Sequence, residues 1–384
     1  MATRLQHLRD DQRGMSLIFV CVSFTSFLAA TTLAVDVGMF MTSRSQAQNS
    51  ADAGALAGAV ALAYDSYSNR GAGGPAVQSA MHTAEANAVA AETVSVTPAD
   101  VTFPNDPAGQ ANRVKVEVYR TAGRFNPVTT LMGSWFGVDN VDITATATAQ
   151  VSPANAATCV KPFTIPDRWI ERGTPPWDPT DTFDLVDSRG RPLANPDLYI
   201  PADRAGYTGY NADRDRGLQL VLKSDNSTNV APSFYNPWAM PGGGGGSFYR
   251  DNIANCNTSV IPIGAPMTAE PGNMVGPTAQ GTNDLIARDP GAYWDTSCNC
   301  VKGSAFAKSP RVSVIPLYDP VYYEEGKHNG RGASLRIANY LGFFIEGMQG
   351  NQVMGRITPV GGVLAAGAGP APVGAFPKVI QLVQ

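Results

Sequence analysis

The chain has 384 residues, a net charge of −4, 43% hydrophobic residues and only 16% charged residues. That length allows two domains of ordinary size, and the charged share is low against a usual 25% or so. No basic field is available to hold nucleic acid, and the composition is not biased enough for disorder throughout.

Residues 14–35 read GMSLIFVCVSFTSFLAATTLAV and carry no charge. At 1.5 Å per residue, about 22 positions reach roughly 33 Å, which matches a bilayer core. Arg4, Arg9 and Arg13 precede this run, Asp36 closes it, and Arg44 follows. The positive-inside rule then predicts a cytoplasmic N-terminus and an extracytoplasmic bulk. A cleaved signal peptide has the same orientation, but its apolar region usually spans only about 7–15 residues. This run is longer and no A-x-A site follows closely, which favours a retained single-pass anchor.

Beyond Asp36 only isolated glycines interrupt a helical pattern, each costing about 1 kcal/mol against alanine. Ala47, Ala51, Ala55, Ala59 and Ala63 recur every fourth residue, with Gly54 and Gly58 on a neighbouring row. Such spacing puts small side chains on one helix face, where another element can approach closely. The expected element is one helix from about Met15 to Tyr64, roughly 75 Å long. Its small-residue face has two readings: a stem that packs on partner helices in an assembly, or a face that packs on the protein's own sheet. Helix geometry does not choose between them.

The stretch from Gln12-Arg13-Gly14, through the apolar run to Leu33-Ala34-Val35-Asp36-Val37-Gly38, and on through Arg44 to Ala59 (RSQAQNSADAGALAGA) resembles a known family. It is similar to the N-terminal region of the TadE/TadG-like proteins of bacterial tight-adherence (Flp-type) pilus machinery. The resemblance implies anchoring in the bacterial cytoplasmic membrane and a role in building a pilus or related surface appendage. It implies other pilus-assembly membrane proteins or pilins as partners, and no catalytic activity. Prepilins carry Glu five residues beyond the processed Gly, whereas the fifth residue after Gly14 is Phe19. A minor pilin processed after Gly14 is therefore the alternative and not the main expectation.

Ser66 to Pro75 is a turn-rich break, and Ala76 to Ala91 is helical by propensity. Arg113 to Tyr119 (RVKVEVY) and Val141 to Val151 alternate as half-buried strands, with a short helix expected around Pro127 to Phe136. The order predicts a small pilin-like α+β module with helices on one face of an antiparallel sheet. From residue 155 on, Pro and Gly recur and apolar stretches are short: Leu218–Leu222, Val260–Ile263, Val312–Leu317, Leu335–Ile345, Val353–Val360 and Val379–Val383. They predict a β-rich outer domain with long loops. The overall class is α+β, divided as a cytoplasmic tail (1–13), a transmembrane helix (14–35), an Ala-rich stem with its α+β module (36–154) and the β-rich domain (155–384).

Cys159, Cys256, Cys298 and Cys300 lie on the outer side and Cys21 in the span. Four cysteines in an oxidising compartment predict two disulfides. Cys298 and Cys300 are too close to pair easily, so the expected bridges join Cys159 and Cys256 each to one member of the CxC, worth roughly 2–4 kcal/mol apiece. A zinc site is disfavoured, because His7, His82 and His328 are all remote in sequence from the cysteines.

Enzymatic signals are weak. A Ser-His-Asp arrangement needs a histidine beside a nucleophile, and no G-x-S-x-G occurs. Gly242 to Gly246 lacks the Lys-Ser/Thr of a phosphate loop and reads as a loop tip or hinge. Some TadG-like proteins carry a von Willebrand A-type domain with a D-x-S-x-S metal motif. Asp225 to Asn229 is the nearest candidate, but Asn229 replaces the second Ser and no βα repeats follow. Asp178, Asp181, Asp184 and Asp187, with Asp213 and Asp215, are oxygen ligands of the kind calcium takes, yet no EF-hand pattern accompanies them and a solvated acidic loop is the plainer reading. No cofactor, metal or small-molecule substrate is expected. A second functional class, an extracytoplasmic module that binds an envelope or host surface, predicts an exposed aromatic patch from Trp169, Trp177, Trp238 and Trp294.

Overall fold

Nothing breaks the helix that begins at Arg13. In a computed structural model that describes residues 13–224, 229–328 and 335–383, α1 runs Arg13–Tyr64 without a kink-forming proline. Its apolar half contains several hydroxyls, and four of them bond back one turn. Thr25 donates to the Cys21 carbonyl (2.9 Å), Ser26 to Val22 (2.8 Å), Thr31 to Phe27 (2.9 Å) and Thr32 to Leu28 (2.7 Å). Those polar groups therefore need no outside partner. The helix ends where the amides of Asp65 and Ser66 both turn onto the Ala61 carbonyl.

Helix α2, Pro75–Glu85, starts with proline at its first position, where the missing N–H is no loss. It stops short of the expected Ala91. Ala90 and Ala91 adopt φ of +50° and +65°, and the Ala90 amide is taken by Gln46 of α1 at 2.9 Å. A tertiary contact has overridden propensity there.

The chain divides into two compact units, Met1–Gln150 with Ile380–Gln384, and Val151–Val379. In the first, strands β1 (Val101–Thr102), β2 (Arg113–Arg120), β3 (Val128–Thr129), β4 (Asn140–Val141) and β5 (Ile143–Pro153) follow the helices. β2 and β5 pair antiparallel, from Arg113 opposite Gln150 to Arg120 opposite Ile143. Val114, Val116 and Val118 on β2 and Ala145, Ala147 and Ala149 on β5 are buried at every second position, the half-buried alternation the sequence shows. The expected short helix near Pro127–Phe136 is instead a β3–β4 hairpin whose tip holds one 3-10 turn, Gly133–Phe136. Gly133 and Gly137 flank this segment, and Gly137 adopts φ +78°, which ends the turn.

The second unit contains β6 (Ala156–Ala157), β7 (Phe163–Pro166), α3 (Ala212–Asp215), β8 (Gln219–Ser224), β9 (Phe234–Pro237), α4 (Gly246–Ala254), β10 (Ile261–Pro262) and β11 (Pro266–Met267). There follow α5 (Val275–Arg288), β12 (Tyr293–Asp295), β13 (Cys300–Lys302), β14 (Val312–Tyr318), α6 (Pro320–His328), β15 (Leu335–Gln349) and β16 (Gln352–Ile357). The main sheet runs β11-β15-β14-β7-β9-β8-β16, and β16 pairs again with β15. Strands β15, β14, β7, β9, β8 and β16 therefore form a closed, mixed barrel. The length of β15 makes closure possible: its first half pairs with β14 and its second half with β16. Just beyond β16 the backbone approaches β15 closely, so that a Cβ on Gly342 would collide with the Thr358 carbonyl. Aromatic and aliphatic side chains such as Trp169, Tyr210, Ile165, Leu220 and Phe343 fill the core, as barrels of this size require.

The last strand, β17 (Lys378–Val383), does not join the barrel. It lies beside β5 in the order β1-β2-β5-β17, so it completes the sheet of the first unit. The expected grouping of Val379–Val383 with the outer domain is corrected by this pairing.

Candidate functional site

The stem has two different surfaces. From Met15 to Leu28 nearly every apolar side chain is exposed, including Leu17, Ile18, Phe19, Phe24 and Phe27. From Thr32 upward a buried stripe appears at three- and four-residue steps: Thr32, Asp36, Ser43, Ala47, Ser50, Ala51, Gly54, Ala55, Gly58, Ala59 and Leu62. Helical periodicity produces that stripe. Its occupant is the protein itself. A Cβ on Gly58 would sit 2.8 Å from Val114 Cγ1 and 3.1 Å from the Ala80 Cβ, and one on Gly54 would sit 3.0 Å from both the Ala80 carbonyl oxygen and the Ala84 Cβ. The face of Ala47, Ala51, Ala55 and Ala59 is thus filled by α2 and β2. Ala63 at its upper end is only half-buried. Of the two readings of this face, the intramolecular one fits this packing, since its small residues admit α2 and β2.

Polar residues interleaved with those alanines tie the stem to its module. Ser50 donates to the Ala84 carbonyl at 2.8 Å, Gln48 to the Thr146 carbonyl at 3.1 Å, and Gln46 accepts from Ala90. No motif in the sequence marks these three side chains. Their positions beside the alanine stripe were the available signal.

The cysteines pair differently from expectation. Cys159 bonds Cys256 and Cys298 bonds Cys300, with Cα–Cα separations of 4.4 and 5.2 Å, both inside the bridging range. Asn299 adopts φ +49° in the turn between β12 and β13, and that turn brings the two CxC sulfurs together. Beside the first bridge, Lys161 donates to the carbonyls of Ile253 (2.6 Å) and Asn255 (3.0 Å). A disulfide and an ammonium thus hold the C-terminal end of α4, where carbonyls lack helical partners.

The acidic residues are engaged locally. Asp187 accepts from the amides of Arg189 and Arg191 and pairs with the Arg191 guanidinium at 2.7 Å. Asp178 accepts from Thr180, Asp181 from the Asp178 amide, and Asp184 from the Thr182 hydroxyl. Asp215 is buried between Arg168 and Arg214, and Asp213 is exposed. Asp181 and Asp184 line a cavity of about 280 Å³ with Glu171 and Asp197, and burial raises the carboxyls of Asp181 and Asp197. Among the described residues no group of three or more His, Cys, Asp or Glu side chains is placed to hold a metal ion. His82 is exposed on α2. His7, the His328 side chain and Asp225–Thr228 of the candidate metal motif lie outside the described residues.

The aromatic patch expected of a binding module is absent. Trp169, Trp238 and Trp294 are core residues, and Trp177 is half-buried, with its ring 6.2 Å from that of Trp169. The large aromatics that do face outward beyond the stem include Trp135 and Phe136 on the β3–β4 tip.

One buried carboxyl gives the second unit a pH dependence. Asp167 accepts from the hydroxyls of Tyr199 (3.0 Å) and Tyr207 (2.8 Å) and from the amides of Arg168 (2.9 Å) and Tyr210 (3.1 Å). Burial outweighs these bonds and pushes its pKa up to about 6. The folded state therefore holds a proton that the unfolded chain, at about 3.9, gives up first. The stability this contributes is full below about pH 4 and is lost as pH rises to 6, by about 3 kcal/mol at 1.36 kcal/mol per unit. Urea unfolding of the parent and of Asp167→Asn between pH 4 and 7 should show that slope in the parent and a flatter profile in the variant. Parallel profiles would remove Asp167 as the cause.

Residues 14–61 match the Tad family model, that of TadE/G-like Flp pilus-assembly proteins. The matched segment coincides with α1 from Gly14 to Ala61. No curated protein and no solved structure matches the chain.

Proposed function

We propose that the protein is a membrane-anchored structural component of an Flp-type (Tad) pilus assembly system in the bacterial cytoplasmic membrane. Residues 1–13 form its cytoplasmic tail, 14–35 its single span, 36–154 with the returning strand β17 its stem module, and the residues between them its outer domain. The carrying observation is that the family match falls on α1, whose stretch 14–35 is long, uncharged and exposed along nearly all its apolar side chains. Such a surface belongs in lipid or against other apolar helices. The arginines before the span favour an inside N-terminus, and the two disulfides favour an oxidising outer compartment.

On this reading the partners are pilins or other pilus-assembly membrane proteins, contacted without turnover. The exposed half of α1 below Thr32 and the outer surfaces are the regions left for them, since the alanine stripe is occupied. A surface-binding module is the second reading, and the burial of Trp169, Trp238 and Trp294 weighs against it.

Mass spectrometry of sheared pili and of cytoplasmic membranes, reading the protein's N-terminus in each, tests the assignment. Intact chain confined to membranes is the expected result. A mature N-terminus at Met15 in the sheared fraction would make the protein a minor pilin. Soluble protein cut near Ala34 would make the span a signal peptide.

A further inference from the structure

We infer that the tip of the β3–β4 hairpin, Thr130 to Val138, is a second membrane contact that inserts Trp135, Phe136 and Leu131 into the outer leaflet beside α1. The inference rests on the membrane-anchored reading above.

Depth is the first argument. The carboxylate of Asp36 accepts from the amides of Leu131 (3.0 Å) and Met132 (3.3 Å to one oxygen, 3.4 Å to the other). That pins the tip to α1 at the residue that ends the uncharged run. Thr32, one turn deeper, is buried as well.

The second argument is that α1 is still apolar at this level. Asp36 is the only charged side chain between Arg13 and Arg44, and it is only 5% exposed. The outward face continues with Leu33, Val35, Val37 and Met41, all exposed. The thirty or so positions from Gly14 to Ser43 span about 45 Å at 1.5 Å per residue, close to the roughly 40–45 Å of a bilayer with its headgroups. The level of Asp36 therefore falls within the outer leaflet, below its water-facing edge.

The third argument is composition. The tip, TLMGSWFGV, carries no charge. Trp135 is 75% exposed, Phe136 63%, Leu131 63% and Val138 48%. Tryptophan at a membrane boundary places an apolar ring with one polar N–H in the region that suits both.

Backbone satisfaction is the fourth. The Trp135 amide donates to Met132, Gly137 to Ser134, Val138 to Gly133 and Thr130 to Asp139, while the Thr130 hydroxyl donates to Val138 at 2.7 Å. With Leu131 and Met132 held by Asp36, most of the tip's amides need no water. Entry into a poorly hydrated layer then costs far less than it would for an open loop. The same bonds keep the one charge of the upper span supplied with donors at that depth.

The test uses the full chain reconstituted into phosphatidylcholine vesicles brominated at upper or at terminal acyl carbons, with alkaline carbonate extraction run in parallel. Trp135 is read as the difference in tryptophan quenching between the parent and Trp135→Phe, a conservative change at an exposed site. The expected result is a carbonate-resistant chain in which upper-carbon bromines quench the Trp135 signal severalfold more than terminal ones. A carbonate-resistant chain with no Trp135 quenching would place the tip in water or, if its emission is blue, against another copy, and would overturn the inference while leaving the anchor intact. A chain extracted by carbonate would sink the anchored reading and the inference with it.

Discussion

Replacing both Cys159 and Cys256 by serine should destabilise the second unit by about 4–5 kcal/mol, whereas the same change at Cys298 and Cys300 should cost under about 2 kcal/mol. The difference follows from loop closure. The first bridge closes a sequence separation of 97 residues and the second a separation of 2, and the entropy removed from the unfolded chain grows with the logarithm of the loop. The first bridge also fixes the end of α4 next to Lys161, so its loss frees carbonyls that the ammonium alone must then hold. Urea unfolding of the oxidised full chain in detergent, followed by tryptophan emission, reads the effect, because Trp169, Trp177, Trp238 and Trp294 all report on this unit. Large and similar losses from the two double variants would point to crosswise pairing, with each CxC sulfur closing a long loop. No loss from Cys159 and Cys256 would mean that the barrel and its helices hold that end of α4 unaided.

Replacing Arg311 by methionine should cost about 3–5 kcal/mol. The guanidinium is buried, and all its bonds run to main-chain carbonyls. Nε donates to Ile345 (2.9 Å), Nη1 to Asp289 (3.1 Å) and Ala292 (2.8 Å), and Nη2 to Glu346 (2.6 Å). The group also lies 5.0 Å over the Phe344 ring. It thereby stitches the segment between α5 and β12 to the half of β15 that closes the barrel. Methionine fills similar volume but takes a donor from four carbonyls, of which that of Asp289 keeps the Ala292 amide, and each buried group left unsatisfied costs about 1–3 kcal/mol before relaxation. Lysine should recover only part, since one ammonium cannot reach four carbonyls spread around a planar fork. The midpoint shift in urea decides it. A loss within about 1 kcal/mol for Arg311→Met would show that water or a local shift satisfies those carbonyls.

Much of the architecture was legible because it rests on local periodicity. The uninterrupted run into Tyr64 specified one long helix, and alternation specified β2 and β5 nearly to the residue. The apolar stretches of the second half all became strands. What escaped the sequence was pairing at a distance. Nothing local tells β15 to serve β14 with one half and β16 with the other, or sends β17 to β5. The Cys298–Cys300 bridge depends on one left-handed residue, Asn299, which spacing alone does not disclose. The small-residue stripe announced close packing but not its partner, because Ala and Gly are equally suited to a neighbouring chain and to α2. The β3–β4 tip was misread as a helix, since its apolar residues sit at spacings that fit a short helical turn. The donors supplied to Asp36 came from nearly a hundred residues away.

The strand order of the first unit has a consequence for how the chain is made. The whole second unit is inserted between β5 and β17, two neighbours in one sheet. A ribosome delivers the chain N-terminus first, so the stem module emerges with an open edge at β5 and waits for more than two hundred residues before its last strand arrives. Throughout that interval the edge is a template for any passing strand. The module's sheet is therefore complete only when the end of the chain has been made.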